Sequence, residues 1–166
     1  MRIRAPGVSQ LIRVFGRPER VRAMELEGVI GLIATGVHFD ETCRQWTFRF
    51  GDYCQIVVEC PWRVVAQNRV AATDQDHRQC FGLTAPVDSE VRVLDLLRGR
   101  TITQAILADG TGDLRVAFDG GVALETFTHS SGYESGSIHL PNGKLIVLMG
   151  GGETAVFTKP SPTKSG

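Results

Sequence analysis

The octapeptide WTFRFGDY, Trp46–Tyr53, alternates large apolar side chains with polar ones and then ends in a turn. Period-two alternation puts Trp46, Phe48 and Phe50 on one face of a β-strand, and that face must be buried. The pattern returns without gaps in LRVAFDGG, Leu114–Gly121, where Leu114, Val116 and Phe118 take the three inward places. Upstream of each copy a glycine leads into a β-branched stretch ending at an aspartate, Gly28 to Asp40 and Gly99 to Asp109. Downstream of each, another strand pattern ends in a glutamate: IVVE with Glu59 and VALE with Glu125. Strand, turn, strand, turn, strand is written twice, and the spacing predicts an internal duplication of 26–66 and 97–134.

Working outward, the turn residues fit this reading. Asp109-Gly110-Thr111-Gly112 and Asp119-Gly120-Gly121 supply the left-handed backbone positions of tight hairpins, and Asn142-Gly143 joins SIHL to KLIVLM in a C-terminal hairpin. Gly150-Gly151-Gly152 reads as a wide turn before a further strand. One helix is predicted at about 88–98, in PVDSEVRVLDLLRG, with Asp88 or Ser89 as its cap and Gly99 as its stop. Its expected packing stripe is Val91, Leu94 and Leu97. The fold class is therefore mainly β (α+β): two tandem three-stranded antiparallel meanders, a linking helix and a C-terminal hairpin, the sheets open or closed into a barrel. Residues 1–23 read as a basic extension, 24–157 as one β-rich domain, and 158–166 as a disordered tail.

The zero net charge conceals a segregation. Residues 1–23 carry six Arg and one Glu, residues 24–135 nine Arg against sixteen Asp and Glu, and residues 136–166 three Lys and one Glu. An acidic body repels phosphates and steers basic partners, so a protein with a basic surface is the expected partner, and nucleic acid is expected only through residues 1–23. No apolar run approaches a membrane span or a secretory leader, which predicts a cytoplasmic chain with no membrane role. The four cysteines, Cys43, Cys54, Cys60 and Cys80, form no Cys-x-x-Cys pair and read as reduced thiols.

The motifs for chemistry are sparse. His77 and Cys80 stand on one loop without a second pair of metal spacing, so no metal is expected and no cofactor is called for. His129, Ser130 and Ser131 are adjacent on an extended chain, where neighbours point apart, and the elbow that presents a reactive serine is missing. The triple glycine lacks the Lys-Ser/Thr of a phosphate loop. Glu59 and Glu125, at matching strand ends, form the one carboxylate pair able to serve as acid and base, if a cavity holds both; the alternative sets them at the sheet rim, bonding turn amides or pairing with Arg63. The other candidates lie where the repeats exit: Trp62 and Arg63 after the first, and Ser131, Tyr133 and Glu134 in the SSGYE stretch after the second. Trp, Tyr and Arg are the types that carry binding energy in interfaces.

With ECPWRVV and FDGGVALETFTHSSGYES in view, residues 24–152 resemble a group of small bacterial proteins, frequent in actinobacteria, that share a Pro-Trp-Arg motif and a Phe-Asp-Gly-Gly followed by Ser-Gly-Tyr-Glu. Proteins of this type resemble immunity proteins that neutralise polymorphic toxins by binding them. The resemblance implies a non-enzymatic protein-binding module and carries over no catalytic residue. Where related sequences have a bulky aromatic after the Ser-Gly-Tyr-Glu-Ser run, this chain has Gly136. The rival expectations are a small-molecule-binding β-barrel or an enzyme using Glu59 and Glu125, and a chain tethered to nucleic acid by its basic arm.

Overall fold

The computed structural model describes residues 23–158. The strands are β1 (Ala23–Glu25), β2 (Ala34–Asp40), β3 (Gln45–Phe50), β4 (Cys54–Val58), β5 (Trp62–Ala66), β6 (Arg69–Thr73), β7 (Ile102–Ala108), β8 (Leu114–Phe118), β9 (Val122–Thr126), β10 (Gly136–His139), β11 (Lys144–Leu148) and β12 (Thr154–Thr158), with α1 (Ser89–Leu97) between β6 and β7. They form two open six-stranded sheets, β1-β7-β8-β9-β5-β6 and β12-β11-β10-β4-β3-β2. The expected meanders, β2-β3-β4 and β7-β8-β9, lie in different sheets. The two inward trios of the sequence reading are all buried in the core between them. Each such apolar side chain contributes roughly 1.5–3 kcal/mol by leaving water.

The connection between the meanders is a mutual exchange. After β4 the chain crosses to the other sheet, where β5 pairs with β9 and continues into β6. After β9 it crosses back, where β10 pairs with β4 and continues into β11. Each meander is thus completed by a hairpin from the other half. The ladder registers fix the correspondence: Phe48 pairs with Ile56 as Val116 pairs with Leu124, and Ile56 then pairs with Ile138 as Leu124 pairs with Val64. At the crossovers two backbone bonds are reciprocal. Glu59 N–H donates to the Ser135 carbonyl and Phe127 N–H donates to the Pro61 carbonyl, both at 2.9 Å. One crossover, residues 59–61, is three residues long and its counterpart, residues 127–135, is nine.

Several expectations are corrected here. Trp62 and Arg63 do not sit in an exit loop; they open β5, because Pro61 needs no ladder donor just before the strand and the alternation restarts at once with Trp62 and Val64 inward. The β5–β6 hairpin turns through Gln67 and Asn68 at φ of 51° and 59°, a two-residue turn with no glycine to announce it. The helix runs over 89–97 with Asp88 accepting the N–H groups of Glu90 and Val91, but it buries Ser89, Val93 and Leu97, while Val91 is 56% exposed. The stripe shifts because α1 packs against both β2 and β6, the edge strands of the two sheets. Glu90 reaches across to accept the Phe39 N–H at 2.6 Å and sits 3.1 Å from His38 Nδ1, so it covers an open strand edge. The strand at the amino end begins at Ala23 and the last strand includes Thr158, one residue beyond each expected boundary. The readings of residues 1–22 and 159–166 as basic arm and tail lie outside the described residues. No helix among the described residues is long and apolar enough to cross a membrane.

Cys54 and Cys60 are buried, whereas Cys43 and Cys80 are exposed. Two thiols per chain are therefore expected to react promptly with a thiol reagent, and four after denaturation; labelled mass counts check this. Burial pushes the Cys54 thiol up from 9.0 to about 11. The folded state holds this proton where the unfolded chain has lost it, so the stabilisation is whole below pH 9 and is lost as pH rises toward 11. Urea midpoints across that range should fall less steeply for Cys54→Ala than for the natural sequence.

Candidate functional site

The nine-residue crossover is the SSGYE stretch in its structural place. Ser130 Oγ accepts the N–H groups of Gly132 at 3.2 Å and Tyr133 at 3.0 Å, which folds the loop on itself as serine side chains do in turns. Its carbonyl accepts the Gly151 N–H at 2.9 Å and so ties the loop to the β11–β12 turn. That turn lies so close that a methyl group on Gly150 would stand 2.6 Å from the backbone of Gly132. Gly152, at φ +84°, is seated against the Gly110 carbonyl with no room for a side chain. In the β7–β8 loop, Asp113 Oδ1 accepts the Thr128 N–H at 2.8 Å. Three loops, residues 109–113, 127–135 and 149–153, are thereby fused by backbone contact at one end of the molecule.

These loops hold Asp109, Asp113, Glu134 and Glu153 and no Lys or Arg. Tyr133 is 82% exposed at their tip, Ser131 and Glu134 are exposed beside it, and Met149 is exposed on the adjoining turn. An aromatic ring held out in water, on a backbone that cannot easily collapse, is pre-ordered for contact. The described residues as a whole carry seventeen Asp and Glu against ten Lys and Arg, so this end concentrates a charge that the body already has.

The remaining sequence candidates separate. Trp62 is 1% exposed, set edge-on against Trp46 at 5.0 Å and Phe48 at 5.4 Å between ring centroids. It belongs to the core and is removed from the contact surface, although it lies beneath the loop end. Arg63 points outward on β5, with its Nε 2.7 Å from Glu125 Oε2 and its guanidinium 4.9 Å from the Phe127 ring centroid, at the foot of the long loop. Arg115 holds the other Glu125 oxygen. Glu125 is thereby neutralised on the outer face of its sheet. Glu59 is exposed in a different setting, a polar depression of about 240 Å³ shared with Arg44, Asp74, Gln75 and His129 over Trp46. Glu125 thus takes the alternative reading, a rim carboxylate paired with Arg63, and Glu59 lines a depression without it. The ladder registers make Val57, not Glu59, the counterpart of Glu125, so the two glutamates are offset by two residues, and the depression that Glu59 lines does not include Glu125.

Other polar groups have structural work. His77 Nδ1 accepts the Ser89 N–H at 3.3 Å and packs on Trp46 and Phe39, which anchors the start of α1. Burial raises the Cys60 thiol, opposed by donors from Phe127 and Thr126, so Cys60 is a poor nucleophile. Among the described residues no group of three His, Cys, Asp or Glu is placed to hold a metal ion. Gly136 pairs with Val58 and takes the place in its half that Trp62 holds in the other. At φ +142° any Cβ would collide with the Val57 carbonyl, so a bulky residue has no room there. The glycine-to-glycine seating of the loops had no sequence signal beyond the glycines themselves.

An antiparallel sandwich with fused acidic loops at one end defines a small, mainly β scaffold whose distinctive surface is made by its connections. The chain belongs to the family described as "Family of unknown function (DUF6188)", whose model matches residues 33–158. No curated protein and no solved structure matches it.

The loop packing is directional. Gly150→Ala is expected to lower stability by about 1–3 kcal/mol, because backbone must move to admit the methyl. Gly132→Ala, whose added methyl meets nothing within 4 Å, is expected to stay within about 1 kcal/mol of the natural chain. Denaturation midpoints of the two variants test the asymmetry.

Proposed function

We propose that this chain is a non-enzymatic protein-binding module of the immunity type, which neutralises a toxin by docking a basic surface on its acidic loop end. The observation that carries the reading is the fused loop cluster itself: four carboxylates, no Lys or Arg, and Tyr133 82% exposed at the tip. Such a patch steers a cationic partner over distances near the Debye length of about 8 Å at physiological salt and then offers it an aromatic anchor. Glu134 and Glu153 set the charge, Tyr133 supplies apolar area, and the Ser130 bonds keep the ring from folding back. Arg63, engaged with Glu125 and Phe127, supports the loop's foot and is not itself the contact. In this reading the partner is a secreted basic protein and the complex forms in the cytoplasm. Glu125, held by two arginines, and Glu59, in a depression that Glu125 does not line, support binding over acid–base catalysis.

The test is calorimetric titration of the chain with purified products of the genes that flank its own. The expected result is a one-to-one complex that a rise in salt weakens, with affinity falling at least about tenfold in Tyr133→Ala and again in the double variant Glu134→Lys/Glu153→Lys. Rescue of bacterial growth against the captured toxin should fail in the same variants. Absence of a complex with any flanking product, or a complex indifferent to both variants, overturns the reading.

A further inference from the structure

At the opposite end of β10, β11 and β12 from the acidic loops, the outer face of the sheet carries a groove of different chemistry. The cross-strand row runs Phe157, Leu145, His139, Gln55, by direct pairing of β12 with β11, β11 with β10, and β10 with β4. Ile146, Ile138 and Ile56, one residue out of phase with this row, are buried in the core, so the row itself faces outward. Tyr53, two residues from Gln55 in the β3–β4 turn, rises at the far side. Three strand spacings, about 14 Å, separate the two ends. The open cavity between them measures about 610 Å³ and is lined by Tyr53, His139, Pro141, Lys144, Leu145 and Phe157 among others. That volume lies in the range of small-molecule sites.

Three features of the groove point to one ligand chemistry. Two aromatic rings are left in water at its walls, Tyr53 80% and Phe157 57% exposed, where they cost free energy that a flat apolar body would recover. The charge is reversed from the rest of the molecule: Lys144 lines the groove, with the His139 ring beside it, and among the described residues no carboxylate does. The nearest acid in sequence, Asp52, lines a neighbouring depression with Arg49. Lys144 makes no ion pair among the described residues, and its backbone is fixed by the Asn142 Oδ1 bond at 3.0 Å, which closes the hairpin turn beneath it. A cation with no ion-pair partner among the described residues, held at the rim of an aromatic cleft, fits an anion attached to a ring.

We infer that the groove between Tyr53 and Phe157 binds a planar aromatic molecule bearing an anionic group, the ring resting on the aromatic walls and the anion on Lys144 and His139. This site is independent of the acidic loop end and of any protein docked there. A nucleotide and an aromatic carboxylic acid both carry this chemistry, and the experiment separates them.

Purified chain is titrated with adenosine 5′-monophosphate, with uncharged adenosine and with 1-naphthoate, by calorimetry or ligand-observed NMR. Saturable one-to-one binding of either anion is expected, with adenosine about tenfold weaker than its monophosphate. Preference for the monophosphate assigns the groove to nucleotides, and preference for naphthoate assigns it to aromatic acids. Tyr53→Ala and Phe157→Ala each weaken the preferred anion about tenfold, and Lys144→Ala removes the advantage of charge over adenosine. All three positions are exposed, and unchanged circular dichroism and melting confirm that the variants fold. Lack of saturable binding by both anions, or binding that keeps its strength in the aromatic variants or its charge preference in Lys144→Ala, overturns the inference.

Discussion

The structure depends on two hydrogen bonds that answer each other, Glu59 N–H to the Ser135 carbonyl and Phe127 N–H to the Pro61 carbonyl. They lie where both halves of the chain change sheets, and they join the two changes into one junction. A strand that leaves its sheet exposes backbone groups near the core, where an unmade hydrogen bond costs about 1–3 kcal/mol. Each crossover supplies what the other lacks. With the junction closed, β5 lies beside β9 and β10 beside β4, and the two hydrophobic faces are held together by covalent chain as well as by packing.

From that junction the position of the candidate site follows. One crossover spans the gap in three residues; the other spends nine on it, and the surplus stands out as the SSGYE loop. A long loop at this place would ordinarily be loose, but Gly150, Gly151 and Gly152 bring the next turn directly against its backbone, and Asp113 ties down its base through Thr128. The surface chemistry is thus carried by connections, and the rigidity by the glycines that let connections touch.

Much of the scaffold was legible in the sequence because its signals are local. The trios around Phe48 and Val116, the Asp-Gly and Asn-Gly turns and the Asp88 cap each act within a few residues. What escaped reading is non-local or unmarked. The exchange of hairpins between sheets depends on which strand edges are open after the meanders form, and no window of sequence contains that. Gln67 and Asn68 make a hairpin without the glycine that usually signals one. Trp62 could be read as an interface residue by its type or as a core ring by how often tryptophan is buried, and it is a core ring because alternation resumes straight after Pro61. Glu59 and Glu125 looked equivalent by their distance from strand ends, whereas ladder register, which sets true equivalence, displaces them. At the candidate site Tyr133 and Glu134 were readable as exposed polar-aromatic loop residues, but the company of Asp109 and Glu153 was visible only in three dimensions.

The exchanged hairpins also bear on how the chain reaches its native state. The first half emerges from the ribosome with β5 and β6 made, yet the strand they must lie against, β9, is still unsynthesised. One sheet lacks a strand until Thr126 has been made, and the other until Thr158. Contacts so distant along the chain favour slow, all-or-none assembly over stepwise growth from one end. The same interlacing that makes the finished molecule a single unit leaves its nascent amino-terminal half with unpaired edges, so that half needs either speed or a chaperone until its complement arrives.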